Sequence, residues 1–369
     1  MPFTSAYLQE LVDQQGLIFL MDGEYHIDKT VMLGDNTTLI MSPRARIYRQ
    51  AKVPVFGTRP GSKNITVRGG TVIGQGPKLS DTAYGNLTYI FKAKNVTFED
   101  MILQDILGSH GVEINASKDV SLLNCKFYGY KLNPDAVYRE AVQIDFACHE
   151  TLPEFPVGSP YYDLECCDGV KIIGCVFDKS DRYPAPLNAI GTHTQPNSKN
   201  KSKNIIISKN IAKGIGGNGS YGIFVHAINF KNVEITDNIV ENYARFVRIF
   251  NNAKEYKADG SYISNGKNSY CEQIRIANNI VAVCEFFKSV GVYAISNNGT
   301  PHRDIQVEHN TFISDNLTTM NHFLTDFNDC KRIKVVDNTN NAVFTTANPI
   351  KFTNCVDYID RNNDFFVKD

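Results

Sequence analysis

One short phrase returns nine times along this chain. It reads roughly Asn or Asp, then Val or Ile, any residue, an aliphatic or Phe, two more residues, and then often Asn or Cys. It starts at Asn64, Asn95, Asp119, Gly169, Asn204, Asn232, Gln273, Asp304 and Arg332, at intervals of 24 to 50 residues with several near 28 to 31. A strand-forming phrase repeated at such a period cannot bury its apolar face alone, so neighbouring copies must stack into a solenoid. Residues distant in sequence then become neighbours, and candidate sites can be read column by column.

Each period holds two or three strand-like runs of three to five residues separated by turn residues, as in 233–235, 239–240 and 246–250. Short strands advancing in one direction give parallel sheets wound into a coil, and parallel crossovers are right-handed in nearly all cases. The expected fold is therefore all-β, a right-handed parallel β-helix forming one domain over 1–369. Residues 1–50 supply an N-terminal cap and the first rungs, and 51–369 the repeating rungs. A β-propeller needs about 40 to 45 residues per blade, longer than most gaps here. Residues 4–14 read as a short helix with Leu8, Leu11 and Val12 on one side, a natural plug for the open end of the coil. The polar tail from Asp360 is expected to close the other end. Two stretches break the period, 146–168 and 251–272, and long insertions on a rigid scaffold are where function concentrates. The recurring Asn residues read as structural: Asn tolerates left-handed backbone at a bend, and stacked amides bond rung to rung.

Composition narrows the function. With 369 residues, 42% hydrophobic and a net charge of −1, the chain has ample core and no basic surplus for nucleic acid. No apolar run reaches the length of a membrane span. The first residues lack the basic start and apolar run of a signal peptide. On this reading the chain acts inside a cell, leaves it by another route such as a phage particle, or has been trimmed. The nine cysteines are odd in number and lack metal-ligand spacing, so they read as buried free thiols. Trp is absent, so any platform for stacking sugars must be Tyr or Phe.

A second strand series lies between the repeat phrases: 109–115, 140–146, 188–194, 221–227 and 245–251. Aligning the inward pairs Val112/Ile114, Val142/Ile144, Ile190/Thr192, Ile223/Val225 and Val247/Ile249 leaves three outward columns. One holds Asn115, Asp145, His193, His226 and Phe250. The next holds Glu113, Gln143, Gly191, Phe224 and Arg248. The third holds His110, Glu140, Asn188, Tyr221 and Arg245. Carboxylates, histidines, arginines and aromatics crowded on one face point to a cleft rather than a solvated sheet. With rungs ~4.8 Å apart, Glu113 and Asp145 are roughly 8 Å apart, inside the ~6.5–9.5 Å that inverting glycoside hydrolysis uses. Asp145 and Glu113 are the expected base and acid, with Glu140 as alternative acid and His193 orienting Asp145. Asp163 and Glu165, on the first insertion, are within possible reach of the cleft. His110, Gln143, Asn188, His226, Tyr221, Phe224, Arg245, Arg248, Tyr161 and Tyr162 are expected to bind substrate. Asp145→Asn is expected to abolish turnover and leave the fold intact. Asp145, His193 and His226 also have the composition of a two-His, one-carboxylate metal set, but neither metal nor cofactor is assigned.

The segment GLIFLMDGEYHIDKTVMLGDNTTLIMSPRARI (16–47), which follows the helix, and the Asn-Val-x-Ile repeats resemble the pectin-lyase-like superfamily of right-handed parallel β-helices. The resemblance covers most of the chain. Members include polysaccharide lyases, polygalacturonase-type glycoside hydrolases and phage tailspike depolymerases. Polygalacturonases carry Asn-Thr-Asp-Gly-Ile-Asp, where this chain has EAVQID and keeps only Ile144-Asp145; Val142 stands where a catalytic Asp is expected. His193 lies in GTH rather than Gly-His-Gly, and RIK at 332–334 belongs to the repeat phrase. The resemblance implies an enzyme that depolymerises an extracellular or cell-surface polysaccharide by hydrolysis. The alternatives are β-elimination, with His193 or His226 as base and Arg248 holding a uronate, and non-catalytic glycan binding as in a phage receptor-binding or adhesin domain. A homotrimer is expected if the chain comes from a phage.

Overall fold

The computed structural model describes residues 3–14, 16–136, 139–214, 222–251, 254–264, 266–267, 269–282, 289–313, 323–340 and 349–364. The chain is a right-handed parallel β-helix. One coil illustrates the plan. Strand Lys94–Glu99 bends into Ile102–Leu107, the chain turns into Val112–Asn115, and the next coil begins with Lys118–Leu123. The first two strands of each coil stack into a 22-stranded sheet and the third into an 11-stranded sheet, with parallel pairing throughout both. Aliphatic and Phe side chains at alternate positions fill the space between the sheets in one continuous core.

Two left-handed residues per coil make the bends. One column is the first residue of the repeat phrase, such as Asn64, Asn95, Asn204 and Asn232, with φ between 53° and 59°. The other precedes the second Asn, as at Lys209, Asp237, Asn278, His309 and Asp337. Short polar side chains tolerate this conformation best, which explains why Asn and Asp dominate both columns. The second Asn of each phrase is not itself left-handed. Asn210, Asn238, Asn279, Asn310, Asn338 and Asn363 form a ladder in which each amide donates to the next at 2.8–2.9 Å. The first five are buried. Cys125 and Cys175 fill the same column in the earlier coils. Eight cysteines among the described residues are free thiols and seven of them are buried; Cys284 lies outside the described residues.

The helix Ser5–Gln14 buries Leu8 and Val12 against the first coil. No described helix is long and apolar enough to cross a membrane. The first insertion folds back over the outer face of the 11-stranded sheet. An isolated bridge Phe146–Cys166 closes its base, and the Tyr162 hydroxyl donates to the Leu152 carbonyl at 2.6 Å inside it. The second insertion forms a hairpin, Glu255–Tyr256 with Tyr262–Ile263. It touches the first where the His149 amide donates to the Ala258 carbonyl at 3.1 Å. Together the insertions roof part of the face that carries the candidate residues.

Candidate functional site

The stacking order of the strands is as expected, but the register differs in one coil, that of the strand Ile223–Ile228. Val112 pairs with Val142, Val142 with Ile190, Ile190 with Val225, and Val225 with Val247. The outward column is therefore Glu113, Gln143, Gly191, His226 and Arg248 rather than one through Phe224. A slip of two residues keeps every apolar side chain facing inward, so alternation alone does not choose between the two registers. Gly191 shows what does. Its backbone has φ 148°, and a Cβ there would meet the His226 carbonyl oxygen at 2.1 Å. The Thr192 amide donates to that oxygen at 3.0 Å. Only Gly lets the two strands meet in this register. Phe224 is consequently a core residue, fully buried and stacked on Phe246 at 5.8 Å, and offers no face to a sugar.

Asp145 is separated from His193 for a different reason: the strand ends at Gly191, and the chain bends so that Thr194, not His193, reaches the carboxylate. Asp145 does project from the outer face of the sheet, beside Asn115, but the first insertion covers it and it is 2% exposed. The space against it is about 10 Å³, bounded in part by Phe146, Cys166, Thr194 and Pro196. Its carboxylate accepts the Thr194 hydroxyl at 2.5–2.6 Å, the Phe146 amide at 2.9 Å and the Gln143 amide. Burial outweighs these donors and pushes its pKa up to about 6. Asp145 is thus a sealed polar anchor of the roof, away from any open groove. A carboxyl whose folded pKa lies above its unfolded value favours the fold most below the unfolded pKa. That advantage fades as pH rises from about 4 through about 6. Asp145→Asn should accordingly stabilise the protein at pH 8 by roughly 1–2 kcal/mol, about half of what such a raised pKa costs an ionised carboxylate. At pH 4 it should leave stability unchanged. The Gln143 side-chain oxygen, buried without a partner, can accept from the new amide once the Gln143 amide turns over. Urea midpoints at the two pH values test this, and equal shifts at both would refute it.

His193 instead meets Glu140. Its Nδ1 lies 2.9 Å from Glu140 Oε2, and His226 Nδ1 lies 3.5 Å from Oε1. His110 Nδ1 lies 2.6 Å from the Glu140 carbonyl oxygen, and its ring stacks on His193 at 5.8 Å and 15°. Burial raises the Glu140 carboxyl, but the two histidines outweigh it and hold the group well below the usual carboxylate range. Burial first, then the neighbouring Arg139 guanidinium and the His193 ring, keep His110 well below the ordinary imidazole value. Burial also lowers His226. Glu140 is therefore an ionised carboxylate among imidazoles, and His110 and His226 are neutral at pH 7.

Arg139 sits over this cluster. Its guanidinium lies 3.0 Å from His193 Nε2 and 3.5 Å from His110 Nε2, and no ion pair to a carboxylate is found for it among the described residues. It opens onto a groove of about 290 Å³ that also contains Lys52, Asn86, Glu113, Glu150 and Glu154. Glu113 is 2% exposed. Its oxygens meet the Asn86 amide and the Asn115 amide, the latter at 3.2 Å. Burial, then the charges of Glu154 and Asp145, push its pKa well above the carboxylate range. Asn115 Oδ1 is buried without a partner; turned over, that amide accepts the Glu113 O–H. The groove thus presents a neutral carboxylic acid beside a guanidinium and beside Glu154, whose carboxyl burial raises as well, though less than that of Glu113.

The other expected residues divide in two. Gln143, Asn188 and His226 are buried close to the cluster; Asn188 Oδ1 accepts the Ile223 amide at 3.1 Å. Arg248 pairs with His226 across the rungs and lies 4.1 Å over the Phe250 ring, and Arg245 lies 4.9 Å over Tyr293. Tyr162 is 6% exposed and serves as the core of the insertion. Tyr161 faces a different depression, with Pro60 and Lys94. Asp163 and Glu165 also turn away from the groove, to Lys92 at 2.7 and 3.0 Å. Tyr221 lies outside the described residues. Arg139, Glu150 and Glu154 were absent from the sequence reading. Arg139 directly precedes Glu140, and both glutamates fall inside an insertion already marked as functional, so position was the available signal.

No family model matches the sequence. Among curated proteins, "Plasmin and fibronectin-binding protein A" of Streptococcus pneumoniae is 26% identical over 242 residues, covering 55% of this chain. The match spans only 33% of that relative's length. Among solved structures, the Streptococcus pneumoniae surface protein and adhesin PfbA superposes over 100% of both chains with a TM-score of 0.72 and 18% identity. A polygalacturonase from Erwinia carotovora superposes over 100% of this chain and 94% of its own, with a TM-score of 0.62 and 12% identity. The fold is that of the pectin-lyase-like parallel β-helices.

Proposed function

We propose that this chain cleaves glycosidic bonds of a surface or extracellular polysaccharide by acid/base hydrolysis, in the groove between the 11-stranded sheet and the first insertion. The observation that carries this reading is Glu113, a buried carboxyl kept protonated and opening onto a groove that Glu150 and Glu154 border. A neutral acid next to an ionised carboxylate is the division of labour that glycoside hydrolysis requires. Glu113 protonates the leaving oxygen, Glu154 activates water, and Arg139 orients the sugar. The adoption of this fold by a polygalacturonase is consistent with it.

Two other readings each rest on a specific observation. His193, held by Glu140 through Nδ1 with Nε2 turned to the groove edge beside Arg139, has the arrangement of a base for β-elimination. Likeness to a streptococcal surface adhesin supports binding without turnover. A panel of acidic and neutral polysaccharides, bacterial surface glycans included, separates the three. Hydrolysis yields new reducing ends with no ultraviolet-absorbing unsaturated product. Elimination yields both. Retention on a glycan with no product after long incubation identifies a binder and overturns the enzymatic proposal.

A further inference from the structure

We propose that His110 and His193, with Glu140 holding His193 from behind, form a site for a divalent transition-metal ion, which takes the position now held by the Arg139 guanidinium. Ligand atoms of the three residues lie within 4.8 Å of one another. The hydrogen bonds fix which nitrogens are available. His110 Nδ1 faces a carbonyl oxygen at 2.6 Å and His193 Nδ1 a carboxylate oxygen at 2.9 Å. Neither partner has a proton to give, so each ring carries its hydrogen on Nδ1 and turns the Nε2 lone pair the other way. Metal-ligating histidines are held in this manner, the distal N–H given to a carbonyl or carboxylate that fixes the ring. Both Nε2 atoms converge on one cation in the present structure, the Arg139 guanidinium, at 3.5 and 3.0 Å.

A second observation concerns the carboxylate behind the two histidines. His226, 2% exposed, meets Glu140 Oε1 only at 3.5 Å through Nδ1, and its Nε2 has no hydrogen-bond partner among the described residues. Buried polar atoms left in this state mark a place where an ion or ordered water belongs. The ionised Glu140 supplies the negative charge that offsets a dication. Two imidazole ligands suit zinc, cobalt or nickel better than calcium or magnesium, which prefer oxygen ligands. Seating the ion releases Arg139 toward the groove, so occupancy sets whether that guanidinium is free to meet a glycan. The site itself does not depend on which reaction the groove performs.

The test titrates the purified, metal-stripped full chain with Zn2+ by calorimetry and with Co2+ by visible absorption. One ion per chain is expected. His193→Ala and His110→Gln should each weaken binding by tenfold or more, the order of loss seen when ligand or supporting groups of metal sites are removed. Arg139→Ala should tighten binding severalfold, because it removes the resident cation. A gain of affinity cannot come from misfolding, so this variant keeps the test decisive even if His110→Gln is unstable. His309→Ala, an exposed histidine on the other sheet, should change nothing. Absence of binding by both the parent and Arg139→Ala, or binding indifferent to His193, would overturn the proposal.

Discussion

Glu113→Gln should lower turnover of any confirmed substrate by roughly 10²–10⁴, the range that a positioned proton donor contributes, with little change in KM. Glutamine keeps the shape of the protonated acid and both amide contacts, to Asn86 and Asn115, but has no proton to give. The pH profile carries the sharper signature. Because Glu113 works as the protonated form and its pKa is raised well above the ordinary value, it should not limit the rate at acidic or neutral pH, where only protonation of Glu154 does. On the alkaline side the rate should fall only as pH climbs past that raised value. In Glu113→Gln the residual rate should lose this alkaline limb. Stability moves in the same sense: ionising a buried, uncompensated carboxyl disfavours the fold, so the parent weakens with rising pH and the variant resists it. Full activity in Glu113→Gln would place the acid elsewhere. Glu154→Gln gives the complementary result, since loss of the base removes the acidic limb instead.

The coil was legible because its determinants are local and repeated. The phrase beginning at Asn204 or Asn232 states a bend, a strand and a buried ladder position within seven residues, and each recurrence confirms the others. The candidate face was legible in its residue types, since His110, Glu113, Glu140, His193, His226 and Arg248 do gather on the 11-stranded sheet and its edge. Partnership within that face was not legible. Shifting one strand by two residues preserves all inward side chains, so His226 could be set in the column of Asp145 as readily as in that of Gln143. The arbiter was the close approach of Gly191 to His226, a contact between backbones that no side-chain pattern announces. The covering of Asp145 was hidden for a related reason. Alternation places a side chain on a face of a sheet, but whether an insertion folds back over that face depends on contacts such as Phe146–Cys166 and Ala147–Glu165. The groove glutamates come from that same insertion, whose path the repeat does not encode.

Asn279→Ala should be the most damaging single change to the fold among the ladder positions. Asn279 donates to Asn310 Oδ1 at 2.8 Å and to the carbonyls of Ile235 and Ala277 at 2.9 and 3.0 Å. Its own oxygen accepts the backbone and side-chain amides of Asn238 at 3.0 and 2.9 Å. Truncation therefore strands donors and acceptors on both neighbouring coils, where burial excludes water. Each buried group left unpaired costs about 1–3 kcal/mol, and linked bonds lose more than their separate sum. A loss of roughly 3–5 kcal/mol is expected, read as a lower urea midpoint at unchanged slope. Asn279→Cys should lose about half as much. The chain itself uses cysteine in this column: the Cys175 thiol donates to the Leu122 carbonyl at 3.5 Å and its backbone amide meets Asn210 at 2.8 Å, so a thiol preserves one of the donors that alanine removes. The order Asn, Cys, Ala follows from hydrogen bonding alone, because cysteine and alanine both fit the volume. Equal destabilisation by the two would mean that packing, and not the amide ladder, holds the coils in register. A change under about 0.5 kcal/mol for alanine, the scale of an ordinary surface substitution, would mean that the ladder follows from the coil instead of securing it.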